Sequence, residues 1–171
     1  MMRGLRQRLG AGAWIGWLAL AGLAGCAGIP ERLAPGTSRS DIEARLGQPS
    51  AVYPRADGTR LQYSRQPAGQ QVYNLDLDAQ GRLRQVDQVM DQAWFERIGI
   101  DTWTRQDVLQ QFGTPALVER VARFDGDIWT YRFLDSGWSR QAHIHLDPAG
   151  VVRRLVFTDE PMPDSMLDGD L

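Results

Sequence analysis

The fold is decided by a short stretch that occurs twice, SRSDIEARLGQP at residues 38–49 and TRQDVLQQFGTP at residues 104–115. Each copy opens with a hydroxyl residue that can cap a helix, followed three positions later by an acid. Apolar side chains then lie four positions apart and face one core. A glycine and a proline close each copy, since glycine suits a left-handed C-cap and proline cannot continue a helix. The stretch predicts one short helix at two places.

We assign a structural role to the residues that carry this signal, because they begin, pack and end the predicted helix. They occupy equivalent positions in the two copies: Asp41, Leu46, Gly47 and Pro49 in the first, and Asp107, Phe112, Gly113 and Pro115 in the second.

Predicted strands follow each helix in the same order. Residues 57–63 match residues 125–131, with an Asp-Gly turn and the alternating apolar side chains of a half-buried strand. Residues 75–84 match residues 144–153 in the same way. Agreement over this length indicates one unit that is duplicated. The sequence therefore predicts an α+β fold with two tandem repeats, each a short helical segment packed on an antiparallel β-meander.

Cys26 is the only cysteine of the chain. It follows a basic segment and an apolar run at residues 11–23, which is shorter than the roughly 20 residues of a membrane-spanning helix. The residues before it, Leu23, Ala24 and Gly25, resemble the lipobox of bacterial lipoproteins. The resemblance implies a diacylglycerol and an N-acyl chain such as palmitate on Cys26, and no other cofactor. The alternative is a buried cysteine behind an ordinary signal peptide or an uncleaved membrane helix.

The predicted lipid anchor also predicts where in the cell envelope the protein lies. Inner-membrane lipoproteins typically carry an aspartate after the lipidated cysteine, whereas Ala27 and Gly28 follow Cys26 here. The resemblance thus implies an outer-membrane protein whose domain faces the periplasm. Five segments are predicted: a lipoprotein signal peptide at 1–25, a lipid-anchored tether at 26–34, the first repeat at 35–90, the second repeat at 91–158 and a disordered acidic tail at 159–171.

Composition and residue patterns argue against several classes of function. The chain has a formal charge of −2 and no basic run, so nucleic acid is not an expected partner. The acids lie at helix caps and turns, and no pattern of nucleophile and base occurs, so we predict no catalytic residues. His143 and His145 lie two apart on one predicted strand, but two ligands fall short of the usual three or four, so we predict no metal site.

A predicted hairpin loop carries the best candidate for binding a partner. Trp138 follows Gly137 in this loop, and tryptophan is frequent among interface hot spots. The aligned loop of the first repeat contains Pro67 and Gly69. We take these four residues as the candidate partner-binding site. The alternative is that the ring of Trp138 folds back onto Phe133 or Trp103 and covers the core.

The outer face of the predicted sheets is polar. Such a face is ordinarily solvated, and it lacks the aromatic side chains that a gripping surface needs. Its residues are Arg60, Gln62, Ser64, Asn74, Asp76, Thr130, Arg132, Gln141, His143 and His145.

The lipobox together with residues 36–49, 66–69 and 75–83 resembles the SmpA/OmlA family of small outer-membrane lipoproteins, which includes a subunit of the β-barrel assembly machinery. The resemblance implies a non-enzymatic adaptor or accessory factor in envelope or outer-membrane protein assembly, with β-barrel assembly subunits among its partners. Two units in tandem are instead similar to β-lactamase inhibitory protein. The alternative function is therefore a periplasmic inhibitor or ligand-binding module that uses the sheet face.

Overall fold

The computed structural model describes residues 28–161. Two four-stranded antiparallel sheets dominate this part of the chain. Strands account for 43% and helices for 17%, so the protein is mostly β. Cys26, the lipobox residues Leu23, Ala24 and Gly25, and the signal peptide predicted at 1–25 lie outside the described residues, as do residues 162–171 of the predicted tail.

Strands that are neighbours in the chain are neighbours in each sheet. Sheet 1 and its helices contain a 3₁₀ turn at Pro30–Arg32, α1 at Arg39–Leu46, β1 at Ala51–Arg55, β2 at Gly58–Ser64, β3 at Val72–Asp78 and β4 at Leu83–Gln88. Sheet 2 and its helices contain α2 at Gln92–Phe95, α3 at Arg105–Phe112, β5 at Leu117–Glu119, β6 at Asp127–Asp135, β7 at Trp138–Leu146 and β8 at Val152–Asp159.

The two longer helices start and stop by the same local contacts. The hydroxyl of Ser38 accepts from the backbone N–H of Asp41 at 3.2 Å, at the start of α1. At the start of α3, Thr104 accepts from the N–H of Asp107, whose carboxylate accepts the N–H of Thr104 at 2.8 Å. Gly47 and Gly113 follow the two helices with positive φ values of 81° and 75°, a conformation that favours glycine.

Residues 28–161 contain two hydrophobic cores, the first built by the first half of the chain and the second by residues of both halves. In the first, Ile42 of α1 packs with Leu61, Leu75 and neighbouring apolar residues of sheet 1. In the second, Phe112 of α3 stacks on Phe95 of α2 with ring centroids 4.5 Å apart. The second core is larger. It contains Val72, Val89, Met90, Phe95, Ile98, Val108, Phe112, Trp129, Tyr131, Phe133, Ala142, Ile144, Leu146 and Val152.

The prediction of an α+β fold, with a helical segment packed on each meander, is wrong. The chain is mostly β, and α1 has only eight residues and buries only Ile42 fully. Moreover, α3 contacts both sheets, because Val108 and Phe112 enter the core of sheet 2 while its carboxyl end meets sheet 1 through Asn74. A sequence pattern that marks a helix cannot say how many sheets the helix touches.

The segment predicted as a tether is partly folded. Leu33 packs in the first core, and the hydroxyl of Tyr73 donates to the carboxylate of Glu31 at 2.5 Å. Ordered contacts with the sheet therefore begin before residue 35. Within residues 28–161, the helices are too short and too polar to cross a membrane.

Candidate partner-binding surface

Trp138 lies at the tip of the β6–β7 hairpin, with its side chain on the surface. Asp135 and Trp138 form the last pair of the ladder, so Ser136 and Gly137 make the turn. Both turn residues have a positive φ, 51° and 89°, as a type I′ hairpin requires. Trp138 is 76% exposed, so its ring does not fold back onto Phe133 or Trp103.

The loop between β2 and β3 is a tight turn that needs a glycine. The N–H of Arg65 donates to the carbonyl of Gln71 at 2.9 Å, and the N–H of Gly69 donates to the carbonyl of Arg65 at 2.6 Å. A Cβ on Gly69 would lie 2.8 Å from the Cβ of Arg65, so a larger residue would force the turn apart. Pro67 is exposed at the outside of this turn.

Polar side chains join this loop to the hairpin strands. Gln66 Nε2 donates to the carbonyl of Arg132 at 2.6 Å, and Arg132 Nη1 donates to the carbonyl of Pro67 at 2.7 Å. Gln70 Nε2 donates to Ser139 Oγ at 3.1 Å, next to Trp138. The structure thus brings the four candidate residues onto two neighbouring loops. We call residues 66–70 and 136–138, which include Pro67, Gly69, Gly137 and Trp138, the loop surface.

Further contacts hold the loop surface in place. Glu160 accepts from Gln70 Nε2 at 3.0 Å and forms an ion pair with Arg132. Arg140 pairs with Asp135 at 3.2 Å, at the base of the hairpin. The backbone around Trp138 is therefore fixed before any partner arrives, which lowers the entropy cost of binding.

The prediction of a solvated polar face is wrong for sheet 1. Arg60, Gln62 and Asn74 are buried, because the carboxyl end of α3 lies against them. Arg60 Nη1 and Gln62 Nε2 each donate to the carbonyl of Gln110 at 3.3 Å, and Asn74 Nδ2 donates to the carbonyl of Gln111 at 2.9 Å. The last carbonyls of a helix lack partners within the helix, so these side chains act as its cap.

Sequence reasoning missed this cap, because alternation along a strand separates two faces but does not show what covers either one. One signal was present: Val72 is apolar and lies two residues before Asn74, on the face taken as polar. It belongs to the core of sheet 2. On sheet 2 the prediction is also wrong for Thr130, which is buried.

The two histidines serve the packing of sheet 2. His143 Nδ1 lies 2.9 Å from Thr130 Oγ1 and Nε2 lies 2.8 Å from Thr158 Oγ1, so both ring nitrogens have partners. His145 packs edge-on against Phe124, with centroids 4.9 Å apart. Burial lowers the pKa of both histidines. Among residues 28–161, no group of three or more potential metal ligands is found.

An open cleft of about 580 Å³ lies at the loop between β5 and β6, lined in part by Arg105, Arg120 and Phe124. Both arginines pair with Asp127, at 2.8 and 2.7 Å. The hydrogen bond from Arg120 holds the pKa of the Asp127 carboxyl below its ordinary value. Because the two cations share a carboxylate, the cleft is not a preformed anion site.

No protein-family model matches the chain, and no curated protein matches it. Among solved structures, the chain is similar to a DUF4309 family protein (YjgB) from Bacillus subtilis, with 15% identity, a TM-score of 0.31, and coverage of 72% of this chain and 79% of that one. It is also similar to an extracellular protein with an SCP domain from Bacillus anthracis, with 14% identity, a TM-score of 0.28, and coverage of 77% and 51%. Neither is described as an SmpA/OmlA protein, and that resemblance stays a prediction.

Proposed function

We propose that the protein is a lipid-anchored adaptor of the outer membrane that binds another envelope protein through the loop surface. The observation that carries this proposal is Trp138, which is 76% exposed on a hairpin whose backbone is held by contacts from a second loop. A large aromatic ring is costly to leave in water and is frequent at the centre of protein interfaces. We assign Trp138 the central role in binding the partner, with Pro67 and Gly69 on the neighbouring loop.

The position of the predicted lipid anchor at Cys26 supports the role of the loop surface. Gly28 follows Cys26 by two residues, a reach of about 7 Å. The N–H of Gly28 donates to the carbonyl of Arg45 at 3.3 Å, near the carboxyl end of α1. The hydroxyl of Tyr63 joins that end of α1 to the end of β2, where the loop surface begins. An anchor at Cys26 would therefore hold this end of the molecule near the bilayer.

Anchoring then acts by raising the effective concentration of weak contacts with partners in the same membrane. Subunits of the β-barrel assembly machinery are the partners that the family resemblance favours. The alternative of an inhibitor that grips an enzyme with its sheet face has less support, because α3 covers Arg60, Gln62 and Asn74 of that face.

The proposal is tested by crosslinking in intact cells of the native host, followed by purification and mass spectrometry. We compare the natural protein with Trp138→Ala, Cys26→Ser and the matched control Val52→Ala, an exposed apolar residue of β1. We expect Trp138→Ala to reduce recovery of the partner by roughly tenfold or more, as loss of a hot spot does. Cys26→Ser should release the protein from the membrane and also lower recovery.

Equal recovery of the same partner by the natural protein and by Trp138→Ala would contradict the proposed binding surface. Retention of Cys26→Ser in the outer membrane would contradict the proposed anchor. A soluble periplasmic enzyme as the main captured protein, with no effect of Trp138→Ala, would favour the inhibitor function.

A further inference from the structure

Strand β5 is an open edge of sheet 2. Within residues 28–161, it pairs with β6 on one side and has no strand on the other. All of its residues are exposed, including Leu117 at 49% and Val118 at 52%, and Val121 just after it is 45% exposed. An edge strand carries unpaired N–H and C=O groups that can pair with another chain, and proteins ordinarily block such edges.

The equivalent edge of sheet 1 is blocked. Strand β1 contains Pro54, which has no N–H to offer to a further strand. The side chain of Tyr53 is also engaged, since its hydroxyl donates to the carbonyl of Leu109 at 3.3 Å. Strand β5 has the sequence Leu-Val-Glu, with neither a proline nor a lysine. Of two edges in the same position, one is protected and the other is open and apolar.

We propose that β5 binds an extended segment of another polypeptide, which adds to sheet 2 as an antiparallel strand. Backbone hydrogen bonds would supply the affinity, and cross-strand side-chain pairs would supply the preference. Apolar residues of the segment would face Leu117, Val118 and Val121. A basic residue would face Glu119. An acidic residue would face Arg120, which pairs with Asp127 at 2.7 Å and whose side chain, 80% exposed, can bridge to a second carboxylate.

The segment has room to continue past β5. The cleft of about 580 Å³ begins at the carboxyl end of this edge, and Val121 and Phe124 are among its lining residues. An apolar side chain of the added strand can rest against Val121 there. Val121 thus belongs both to the chain that follows this edge and to the lining of the cleft.

A second copy of this protein is a poor occupant. When a two-fold axis relates two antiparallel strands, one residue lies opposite its own copy. Pairing centred on Glu119 or on Arg120 places like charges opposite each other, which is destabilising. Pairing centred on Val118 sets Leu117 against a second Glu119. A different chain can carry a complementary order of residues, which this edge cannot supply to itself.

The test uses the full acylated protein in detergent micelles and a capped peptide with the core Val-Glu-Lys-Val-Val, which is complementary to residues 117–121 in antiparallel order. The matched control peptide, Val-Lys-Glu-Val-Val, has the same composition with the two charges exchanged. A third peptide carries N-methyl groups on its backbone. Hydrogen exchange of residues 116–121 is followed during titration.

We expect the complementary peptide to protect these amides, the charge-exchanged peptide to bind about tenfold more weakly, and the N-methylated peptide to give no protection. Arg120→Pro, which copies Pro54 of the other edge, should abolish protection while exchange in β6 and β7 shows an intact fold. Equal binding of the three peptides would overturn the proposal. So would a dimer whose residues 116–121 are already protected without peptide.

This inference stands apart from the loop surface. Trp138→Ala should leave peptide binding at β5 unchanged, and Arg120→Pro should leave crosslinking at the loop surface unchanged. A failure of one proposal is therefore distinguishable from a failure of the other.

Discussion

Two tyrosines make the same contact in the two halves of the molecule. The hydroxyl of Tyr63 donates to the carbonyl of Gly47 at 3.0 Å, and that of Tyr131 donates to the carbonyl of Gly113 at 2.6 Å. Burial raises the pKa of Tyr63 to about 12 and that of Tyr131 well above its ordinary value. Both hydroxyls therefore stay protonated and remain donors at neutral pH.

The two contacts differ in burial, which gives a prediction at the scale of single residues. Tyr131→Phe should lower the free energy of unfolding by about 1–3 kcal/mol, because it leaves a buried carbonyl without a donor. Tyr63→Phe should cost less, about 0.5–1 kcal/mol, since water can replace its hydroxyl. Urea unfolding measures both. An equal loss in the two variants would contradict the role assigned to burial.

The histidines give sheet 2 a pH dependence. Burial lowers the pKa of His143 and His145 in the folded protein, and the positive charge of Arg154 lowers that of His145 further. The unfolded chain therefore binds protons first, near a pKa of about 6.5, and the free energy of unfolding falls as the pH drops below that value. Urea titrations between pH 7 and pH 5 should show this loss.

The matched control is the double variant His143→Asn, His145→Gln, in which the loss of stability between pH 7 and pH 5 should be smaller than in the natural protein. Asp127 and Asp147 have lowered pKa values and titrate at more acidic pH, so they do not account for this window. An unchanged slope in the double variant would assign the effect to other groups.

At the scale of elements, the decisive contact is the carboxyl end of α3 against β2 and β3. Gln62 Nε2 lies 3.3 Å from the carbonyls of Leu109 and Gln110 and 3.1 Å from Asn74 Oδ1. One buried amide thus serves three acceptors that belong to two halves of the chain. Other donors also reach this end of α3: Tyr53 and the N–H of Gly113 donate to the carbonyl of Leu109, Arg60 to that of Gln110 and Asn74 to that of Gln111.

Gln62→Leu keeps the size of the side chain and removes its donors. We expect a loss of about 1–3 kcal/mol in the free energy of unfolding, because the buried Asn74 Oδ1 loses its donor and the carbonyls of Leu109 and Gln110 each lose one of theirs. The control is Gln85→Leu on the exposed side of β4, which should change stability by about 0.5 kcal/mol or less. If both variants lost the same amount in urea, the cap at α3 would contribute nothing specific.

Elements were predictable from the sequence where local chemistry decides them. Capping residues such as Thr104 and the glycines after each helix mark the ends of α1 and α3, and alternation marks β2 and β6. The fold class was not predictable in the same way. Helix signals stand out in a sequence although the helices are short, and nothing local shows that α3 lies against Arg60 and Asn74.

At the scale of the whole molecule, both halves of the chain contribute to the larger, second core. Val72, Val89 and Met90 come from the first half of the chain and pack with Phe95 and Phe133. The sheets cannot separate without exposing these residues. We therefore expect residues 28–161 to unfold in a single transition.

Met90→Ala tests this sharing, because Met90 is buried and lies between the sheets. The variant should lose about 2–5 kcal/mol and should keep one transition in which far-UV circular dichroism and tryptophan fluorescence coincide. Two separate transitions in the natural protein would show that the halves are independent domains.

The candidate site was predictable only in part. The type of residue at Trp138 and its turn indicated a loop tip, and the alternative of a buried ring was open until the exposure was known. The loop around Pro67 was chosen only because it aligns with the hairpin. That the two loops touch depends on Gln66, Gln70 and Arg132, whose reach is set by the packing of one sheet against the other.

The most direct test of the central claim places a photoreactive benzoyl-phenylalanine at position 138 in the acylated protein in its native host. The same group at Arg55, an exposed residue of β1, is the control. The account predicts one discrete adduct with an envelope protein from position 138 and none with that protein from position 55. The same adducts from both positions, or none from position 138 when crosslinking of the natural protein still captures a partner, would contradict it.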